Sequence, residues 1–227
     1  MHLFYSEDIG VHATLKNDEA KHCTLVLRHK EGQQIQVFDG KGYICICEIT
    51  KIDKHEVQCK IISKAEITKK FHHSIAICPP KNNARLEWFI EKAVEVGINE
   101  IFLLQSERSE KVFSKLDRIH KIIISASKQS GNLLFPKIVQ VEHPTKLIQM
   151  TTHYNARFLA HCVDASIALK KTEISQNGLC VIGPEGDFTS GEIQLFEKYG
   201  FTSVNLGEPR LRTETAGLVA LTLMNYR

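Results

Sequence analysis

The stretch Leu179–Phe188 reads LCVIGPEGDF, a short apolar run that passes directly into a loop with two glycines. A short apolar run bounded by turn residues is typical of a buried strand in a parallel sheet. Gly183 and Gly186 allow the loop to turn sharply and to bring bare backbone groups close to a ligand. Thr189 and Glu192 then have the spacing of a capping box. The stretch therefore predicts a strand, a loop suited to a ligand, and a helix.

Taken by itself, this loop has two interpretations. It can bind a ligand through its backbone, or it can be an ordinary strand-to-helix turn. It is not a Walker phosphate loop, because no Lys-Ser/Thr pair follows the glycines, and it lacks the G-x-G-x-x-G pattern of dinucleotide-binding proteins. The sequence therefore gives no sign of ATP or of a dinucleotide.

Strands alternate with helices on both sides of this stretch. A helix is predicted from Asn83 to Val96, with apolar side chains on one face and Gly97 at its end. Further strands are predicted at Ser74–Cys78, Ile101–Leu104 and Phe158–Ala160. This alternation is typical of an α/β domain with a mostly parallel sheet.

A second candidate loop follows a predicted strand that ends at Leu206-Gly207. Thr213 can cap the next helix. Arg210 and Arg212, beside the start of that helix, are suited to anionic oxygens or to carbonyl oxygens that gain negative charge. Two plainer interpretations stay open. Both arginines can be solvated loop charges, and Glu214 can simply suit the helix dipole.

Residues 1–70 follow a different pattern, in which apolar and polar residues mostly alternate. Strands are predicted at Gln33–Phe38, Tyr43–Ile49 and Val57–Ile62, and one helical stretch at Glu19–His29. Several short strands at this spacing predict a small β-barrel. The Lys-rich segment Lys64–Lys70 is predicted to be a linker to the α/β domain.

Composition excludes several classes of protein. The 227 residues are 43% hydrophobic and 24% charged, close to the globular average, which argues against a disordered, collagen-like or coiled-coil chain. The net charge of +3 permits a nucleic-acid substrate without requiring one. The seven cysteines include no C-x-x-C pair and are predicted to be small buried residues, and the scattered histidines match no metal site.

No stretch approaches the roughly 20 apolar residues that a membrane span needs. The first ten residues, MHLFYSEDIG, contain no basic segment followed by an apolar one, so no signal peptide is predicted. We therefore expect a cytoplasmic protein with no membrane contact.

Three segments together resemble the paired C-terminal signature of the SPOUT methyltransferases: Ile182–Gly186, Leu206–Gly207 and Leu211–Ala216. More narrowly, they resemble the family that methylates N3 of a uridine in 16S ribosomal RNA. Further motifs of that family occur in its order along essentially the whole chain. They are His22-x-x-x-Val26-Leu27-Arg28, Phe38–Gly40, the set Lys81, Glu87, Lys92, Glu95 and Gly97, then Glu107–Ser109 and Gln129–Gly131.

The chain departs from the family pattern in two places. Lys128 stands where the family commonly has an acid. Glu208 displaces the Pro-Arg pair that usually follows Leu-Gly, so that the pair is here Pro209-Arg210. A catalytic role for an arginine therefore transfers more safely to Arg212 than to Arg210.

The resemblance implies two domains. Residues 1–70 would form a PUA-like β-barrel that binds RNA, and residues 73–227 a SPOUT α/β domain with a deep trefoil knot. In such folds the last helix passes through a loop, and the crossing segments form the pocket for S-adenosylmethionine. Composition and periodicity cannot predict a knot, because an unknotted chain is the usual expectation. Family members act as homodimers, and the implied partner is 16S rRNA, within the small ribosomal subunit.

The resemblance also implies roles for individual residues. Arg212 would be catalytic by stabilising negative charge on the uracil carbonyl oxygens, and Glu214 is a candidate base. The residues implied to bind S-adenosylmethionine are Leu159, Ala160, His161, Ile182, Gly183, Pro184, Glu185, Gly186, Leu206, Gly207, Leu211, Arg212, Thr213, Thr215 and Ala216. The implied RNA contacts are Arg28, Lys30, Arg108, Ser109, Lys128 and Arg210. No metal ligand is implied.

One alternative from another class is a non-catalytic RNA-binding protein that keeps a degenerate SPOUT domain. The intact Gly183–Gly186 and Leu211–Ala216 motifs argue against it. A hydrolase is excluded, because the chain has neither a G-x-S-x-G elbow nor His and Glu residues spaced for a metal.

Overall fold

A computed structural model describes residues 1–109, 116–162, 167–174 and 176–226. The chain forms two compact units, one of Met1–Lys69 with Ile124–Phe135, the other of Lys70–Ile123 with Pro136–Arg227. The resemblance to the family implies that residues 73–227 form the second domain. Ile124–Phe135 belongs with the first unit because its apolar residues, including Leu133 and Phe135, pack with Phe38 of that unit.

The N-terminal unit is built on one five-stranded sheet. Its strands are β1 (Leu3–Tyr5), β2 (His12–Lys16), β3 (Gln34–Phe38), β4 (Tyr43–Ile52) and β5 (Glu56–Glu66), in the order β1-β3-β4-β5-β2. All five strands contribute to a single apolar core, so the sheet curls around it. Cys45 and Cys47 of β4 both point into this core, as their spacing predicts. The three predicted strands are confirmed, and the predicted barrel is a curled sheet.

The helical stretch of this unit is shorter and less regular than predicted. Helix α1 (Asn17–Lys21) continues as a π-helical turn at His22–Val26, in which the Leu27 amide donates to the His22 carbonyl at 3.0 Å. Arg28 has a φ of 56°, in the left-handed region, and this ends the helix before the predicted end at His29.

The C-terminal unit contains a seven-stranded sheet. Its strands are β6 (His72–Ile77), β7 (Glu100–Leu104), β8 (Lys137–Val141), β9 (Ala156–Ala160), β10 (Ile167–Ala168), β11 (Asn177–Ile182) and β12 (Thr202–Asn205). Their order is β10-β12-β9-β11-β6-β7-β8, and every neighbouring pair among the described strands is parallel. The carboxyl ends of β12, β9 and β11 therefore lie side by side at one edge of the sheet.

Helices connect these strands, as the alternation predicts. They are α2 (Asn83–Val96), α3 (Leu116–Ser130), α4 (Pro144–Met150), a 3-10 turn (Leu169–Lys171), α5 (Ser190–Lys198) and α6 (Thr213–Asn225). The predicted bounds of α2 are confirmed. The Asn82 side chain caps it by accepting from the Ala84 amide at 2.9 Å, and Gly97, at a φ of 92°, ends it. The capping box of Thr189 and Glu192 is present at the start of α5.

Six of the seven cysteines are buried, as predicted, and Cys162 is exposed. Burial raises the pKa of Cys180 to about 12 and that of Cys78 to about 11, so these side chains are neutral thiols at physiological pH. No helix in the described part of the chain is long and apolar enough to cross a membrane.

Helices α2 and α6 pack closely where Gly217 of α6 meets Phe89 of α2. A Cβ atom on Gly217 would lie 2.7 Å from Cε2 of Phe89, a ring that is fully buried. Glycine in a helix interior costs about 0.5–1 kcal/mol relative to alanine. The position therefore favours glycine for packing, against its helix propensity.

We predict that Gly217→Ala lowers the free energy of unfolding by about 1–3 kcal/mol, because the buried ring cannot move away without strain. Urea denaturation followed by circular dichroism measures this. The matched control is Gly191→Ala in α5, where an added Cβ meets no atom within 4 Å. The control should be neutral or stabilising by about 0.5–1 kcal/mol. A Gly217→Ala protein as stable as the control would refute the packing argument.

Candidate active site

Two adjoining cavities lie at the edge where β9, β11 and β12 end. The first cavity has a volume of about 430 Å³ and the second of about 370 Å³. Both are lined by Ala160, His161, Cys162, Arg210, Leu211 and Ala216. Volumes of roughly 300–1,000 Å³ are usual for small-molecule sites, and ligands of open α/β sheets bind at the carboxyl ends of strands.

The first cavity is lined mainly by residues at the end of β12 and in the loop that follows it. The residues that it does not share with the second are Val204, Asn205, Leu206, Gly207, Glu208 and Pro209. Gly207 has a φ of 135°, which only glycine adopts readily. The turn at Leu206-Gly207 therefore depends on the glycine that the sequence supplies there.

The second cavity carries more charge than the first. The residues that line only this cavity are Arg85, Ile182, Gly183, Pro184, Glu185, Asp187, Arg212 and Thr213. With the shared Arg210, three guanidinium groups and two carboxylates line it. This cavity is therefore suited to a ligand that carries or develops charge.

Asp187 fixes the loop between β11 and α5. Its φ of 61° is in the left-handed region, which aspartate tolerates better than most residues. Its Oδ1 accepts from the Phe188 amide at 2.8 Å, and its Oδ2 accepts from the Cys162 amide at 2.9 Å. The carboxylate thus ties this loop to the segment that follows β9, so two walls of the site are held together.

Thr213 joins the start of α6 to the same loop. It was predicted to cap the helix, but the N-cap residue is Arg212, whose backbone is extended and whose side chain makes no capping hydrogen bond. The Thr213 hydroxyl instead donates to the Gly183 carbonyl at 3.2 Å, and the residue is buried. The prediction of a Thr213 cap was wrong because Thr213 is the first residue of the helix, and the N-cap position, from which a side chain accepts from the helix amides, falls one residue earlier at Arg212.

Arg85 contacts two carboxylates at the second cavity. It lies in the first turn of α2, and its Nη1 donates to Glu185 Oε1 at 3.2 Å. Its Nε lies 3.7 Å from Oε1 of Glu214, an ion pair too long for a hydrogen bond. Glu214 is only 6% exposed, lines neither cavity, and its Oε2 has no hydrogen-bond partner within the described part of the chain.

A third cavity of about 300 Å³ lies on the Gly186 side of the same loop. Lys81, Arg108 and Ser109 are among its lining residues, and Arg108 Nη1 donates to the Gly186 carbonyl at 2.8 Å. The preceding residue is held as well, because the Glu107 amide donates to Glu192 Oε1 at 2.9 Å. The α5 capping box thereby fixes the segment that carries Arg108.

Most residues predicted to bind a cofactor line the first two cavities. Those that do are Ala160, His161, Ile182, Gly183, Pro184, Glu185, Leu206, Gly207, Leu211, Arg212, Thr213 and Ala216. Leu159 is fully buried beneath them, Gly186 lines the third cavity, and Thr215 is half-buried and lines none of the three. The structure thus brings together segments that lie far apart in the sequence.

The residues predicted to contact RNA have different surroundings. Arg28 and Lys30 are exposed in the N-terminal unit. Lys128 is only 18% exposed at its side chain and pairs with Glu19 at 2.7 Å, so its charge is already used within that unit. Arg108 and Ser109 line the third cavity, whereas Arg210 lines the first two and donates to the Glu185 carbonyl at 3.3 Å.

Sequence reasoning missed several residues of the site. They are Arg85, Cys162, Val204, Asn205, Glu208, Pro209 and Asp187, besides Arg210, which was assigned to RNA. Asp187 carried a signal, since it directly follows the glycine loop and aspartate favours turns. A basic residue in the first turn of a helix, such as Arg85, opposes the helix dipole, and this was a signal that something else holds it. No three or more His, Cys, Asp or Glu residues in the described ranges are placed to hold a metal ion.

The sequence matches two protein-family descriptions. Residues 68–225 match the RNA methyltransferase domain, and residues 15–62 match the RNA methyltransferase PUA domain. Among curated relatives, the ribosomal RNA small subunit methyltransferase E of Bacillus subtilis is 28% identical over 94% of this chain and 90% of its own length. That of Mesomycoplasma hyopneumoniae is 30% identical over 87% of this chain and 90% of its own.

Solved structures agree with these matches. A "probable rRNA-methyltransferase" from Porphyromonas gingivalis is 35% identical, with a TM-score of 0.92 over 99% of this chain and 98% of its own. A ribosomal RNA small subunit methyltransferase E from Neisseria gonorrhoeae, bound to S-adenosyl methionine, is 27% identical. Its TM-score is 0.86 over 99% of this chain and 96% of its own. Both likenesses extend over both units of the chain.

Proposed function

Because this chain belongs to the ribosomal RNA small subunit methyltransferase E family of SPOUT methyltransferases, we propose that it methylates N3 of a specific uridine in 16S rRNA, with S-adenosylmethionine as methyl donor. The observation that carries this proposal is the pair of adjoining cavities at the carboxyl ends of β9, β11 and β12. They are lined by the segments whose motifs resemble that family.

The residues of the cavities fit S-adenosylmethionine. Leu206, Leu211 and Ala216 offer apolar surface to an adenine ring, and the turns at Leu206-Gly207 and Gly183 offer backbone groups to its polar edge. Glu185 and Asp187 line the second cavity, and their carboxylates would favour the positive charges of the cofactor. The combined space is also of the right order for a molecule of this size.

When bound, S-adenosylmethionine supplies a methyl group that is already activated by its positive sulfur. The chain therefore has to align the uracil with it and to favour loss of the N3 proton. Arg212 lines the second cavity and is exposed, so its guanidinium is available to a substrate. As the N3 proton leaves, negative charge spreads to O2 and O4 of the uracil, and Arg212 stabilises it.

The N-terminal unit, residues 1–70 of the proposed division, holds the RNA in this account. It matches a PUA domain of RNA methyltransferases, and Arg28 and Lys30 are exposed on it. Binding through such side chains weakens as salt rises, because phosphate contacts release counterions. Residues 73–227 then carry the chemistry, and we infer a cytoplasmic location from the proposed rRNA substrate.

We extend the proposal to the trefoil knot and to a homodimer of knotted domains. The knot is proposed from the family to which the chain belongs, and the hydrogen bond from the Thr213 hydroxyl to the Gly183 carbonyl is compatible with it, because it holds the first turn of α6 against the loop after β11. An alternative, a non-catalytic RNA-binding protein with a degenerate SPOUT domain, is less well supported, since its cavities would have no reason to remain open and charged.

We predict that Ala216→Leu abolishes S-adenosylmethionine binding in isothermal titration calorimetry. Ala216 lines both cavities, and a leucine there would fill the space shared between them while still favouring a helix. The matched control is Ala65→Leu, at an exposed position of β5, which should bind like the wild type. Wild-type affinity in Ala216→Leu would place the cofactor elsewhere and remove the main support for the proposal.

We predict that Arg212→Ala lowers kcat for rRNA methylation by about 10²–10³, the usual loss for one preorganised donor to a developing negative charge. Cofactor affinity, measured by calorimetry, should change little. Arg212→Lys should restore part of the rate, because a point charge lacks the planar fork of a guanidinium. Lys198→Ala, which removes an exposed charge outside the cavities, serves as control. If Arg212→Ala lost only cofactor affinity, its catalytic role would be wrong.

A further inference from the structure

Arg85 occupies an unfavourable place for a cation. The first turn of a helix carries partial positive charge, so a basic side chain there is repelled by the helix dipole. Arg85 is the third residue of α2, and that first turn contains no acidic residue to offset it. The charge is offset from outside the helix, by Glu185 of the loop after β11 and by Glu214 of α6.

The buried position of Glu214 is also unfavourable for the stability of the fold. Its carboxylate is 6% exposed, and one of its oxygens has no hydrogen-bond partner among the described residues. Buried polar atoms are usually satisfied, so an exception calls for an explanation. Among the cations of the described part of the chain, only Arg85 forms an ion pair with it. The ion pair between Arg85 and Glu214 therefore joins two charged groups, each of which is in an unfavourable position by itself.

The contact leaves part of the guanidinium for a ligand. Arg85 directs Nε toward Glu214 and Nη1 toward Glu185, and its Nη2 makes no hydrogen bond to any described residue. Its side chain is 35% exposed and lines the second cavity together with Arg212 and Thr213, but not the first. The guanidinium of Arg85 is therefore held in place and still presents hydrogen-bond donors at the second cavity, the more charged of the two.

We propose that Arg85 is a substrate-binding residue that donates to a uracil carbonyl oxygen as it gains charge, and that Glu214 is the residue that positions it. This inference rests on the proposed function, since it concerns the same cavity. It gives Glu214 a role different from that of a base. In this role the buried carboxylate of Glu214 holds the guanidinium of Arg85 in position, and the N3 proton of the uracil leaves to solvent.

The test uses the full chain and small-subunit rRNA from cells that lack this methyltransferase. Four variants are compared with the wild type: Arg85→Gln, Arg85→Lys, Glu214→Gln, and Arg85→Gln combined with Glu214→Gln. The matched control is Lys92→Gln, because Lys92 is also a cation of α2 that pairs with two carboxylates, Glu91 and Glu95, but lines neither of the two adjoining cavities. The readouts are kcat, KM for RNA, cofactor affinity, the pH profile of kcat, and Tm.

We expect Arg85→Gln to lower kcat by about 10²-fold with little change in cofactor affinity, and Arg85→Lys to recover part of the rate. The apparent pKa in the pH profile of kcat should rise in Arg85→Gln, because the uracil anion loses a neighbouring cation. Glu214→Gln should lower kcat in the wild-type background and not at all in the Arg85→Gln background, since it acts through Arg85. A merely structural carboxylate would instead change Tm and leave the pH profile unmoved.

Several results would overturn the inference. Normal kcat in Arg85→Gln excludes the role of Arg85, and additive losses in the double variant exclude the positioning role of Glu214. A loss confined to KM for RNA, with an unchanged pH profile, would show that Arg85 holds a phosphate and not the uracil. Failure of the proposed function is distinguishable, because the wild type and Lys92→Gln would then transfer no methyl group to the RNA.

Discussion

The site depends on one loop, the turn from β11 to α5, and on the hydrogen bonds that hold it to its neighbours. The Asp187 carboxylate binds the Cys162 amide at 2.9 Å, and the Gly183 carbonyl accepts the Thr213 hydroxyl at 3.2 Å. Each bond joins the loop to a segment that is distant in sequence. These bonds hold the segment after β9 and the start of α6 against the loop, and all three line the second cavity.

The rest of the C-terminal unit brings that loop to its neighbours. Parallel strands β9, β11 and β12 are adjacent, so the loops that follow them emerge side by side. Helix α6 approaches because Gly217 accepts the ring of Phe89 from α2. The same approach brings Glu214 of α6 within 3.7 Å of Arg85 of α2. Packing of these two helices therefore brings a buried carboxylate to Arg85, one of the charged residues that line the second cavity.

Much of this arrangement could be predicted from the sequence. The bounds of α2 and the parallel sheet follow from local patterns, and the two loops of the candidate site follow from glycine positions after apolar strands. The role of Thr213 could not be predicted, because a threonine at the start of a helix suggests a cap and only the fold places the Gly183 carbonyl within reach of its hydroxyl. Nor could the pairing of Lys128 with Glu19, which joins residues over a hundred positions apart. Local sequence patterns predict helices, strands and turns. Ion pairs between residues that are far apart in the sequence decide which charged side chains remain available to a ligand.

The most direct test of the account is to map modified nucleosides in 16S rRNA by mass spectrometry, in cells with and without this gene. If the joined cavities hold S-adenosylmethionine for uridine methylation, one N3-methyluridine should be missing from the deletion strain. The intact gene should restore it, whereas the Ala216→Leu gene should not. An unchanged set of methylated uridines in the deletion strain would contradict the account.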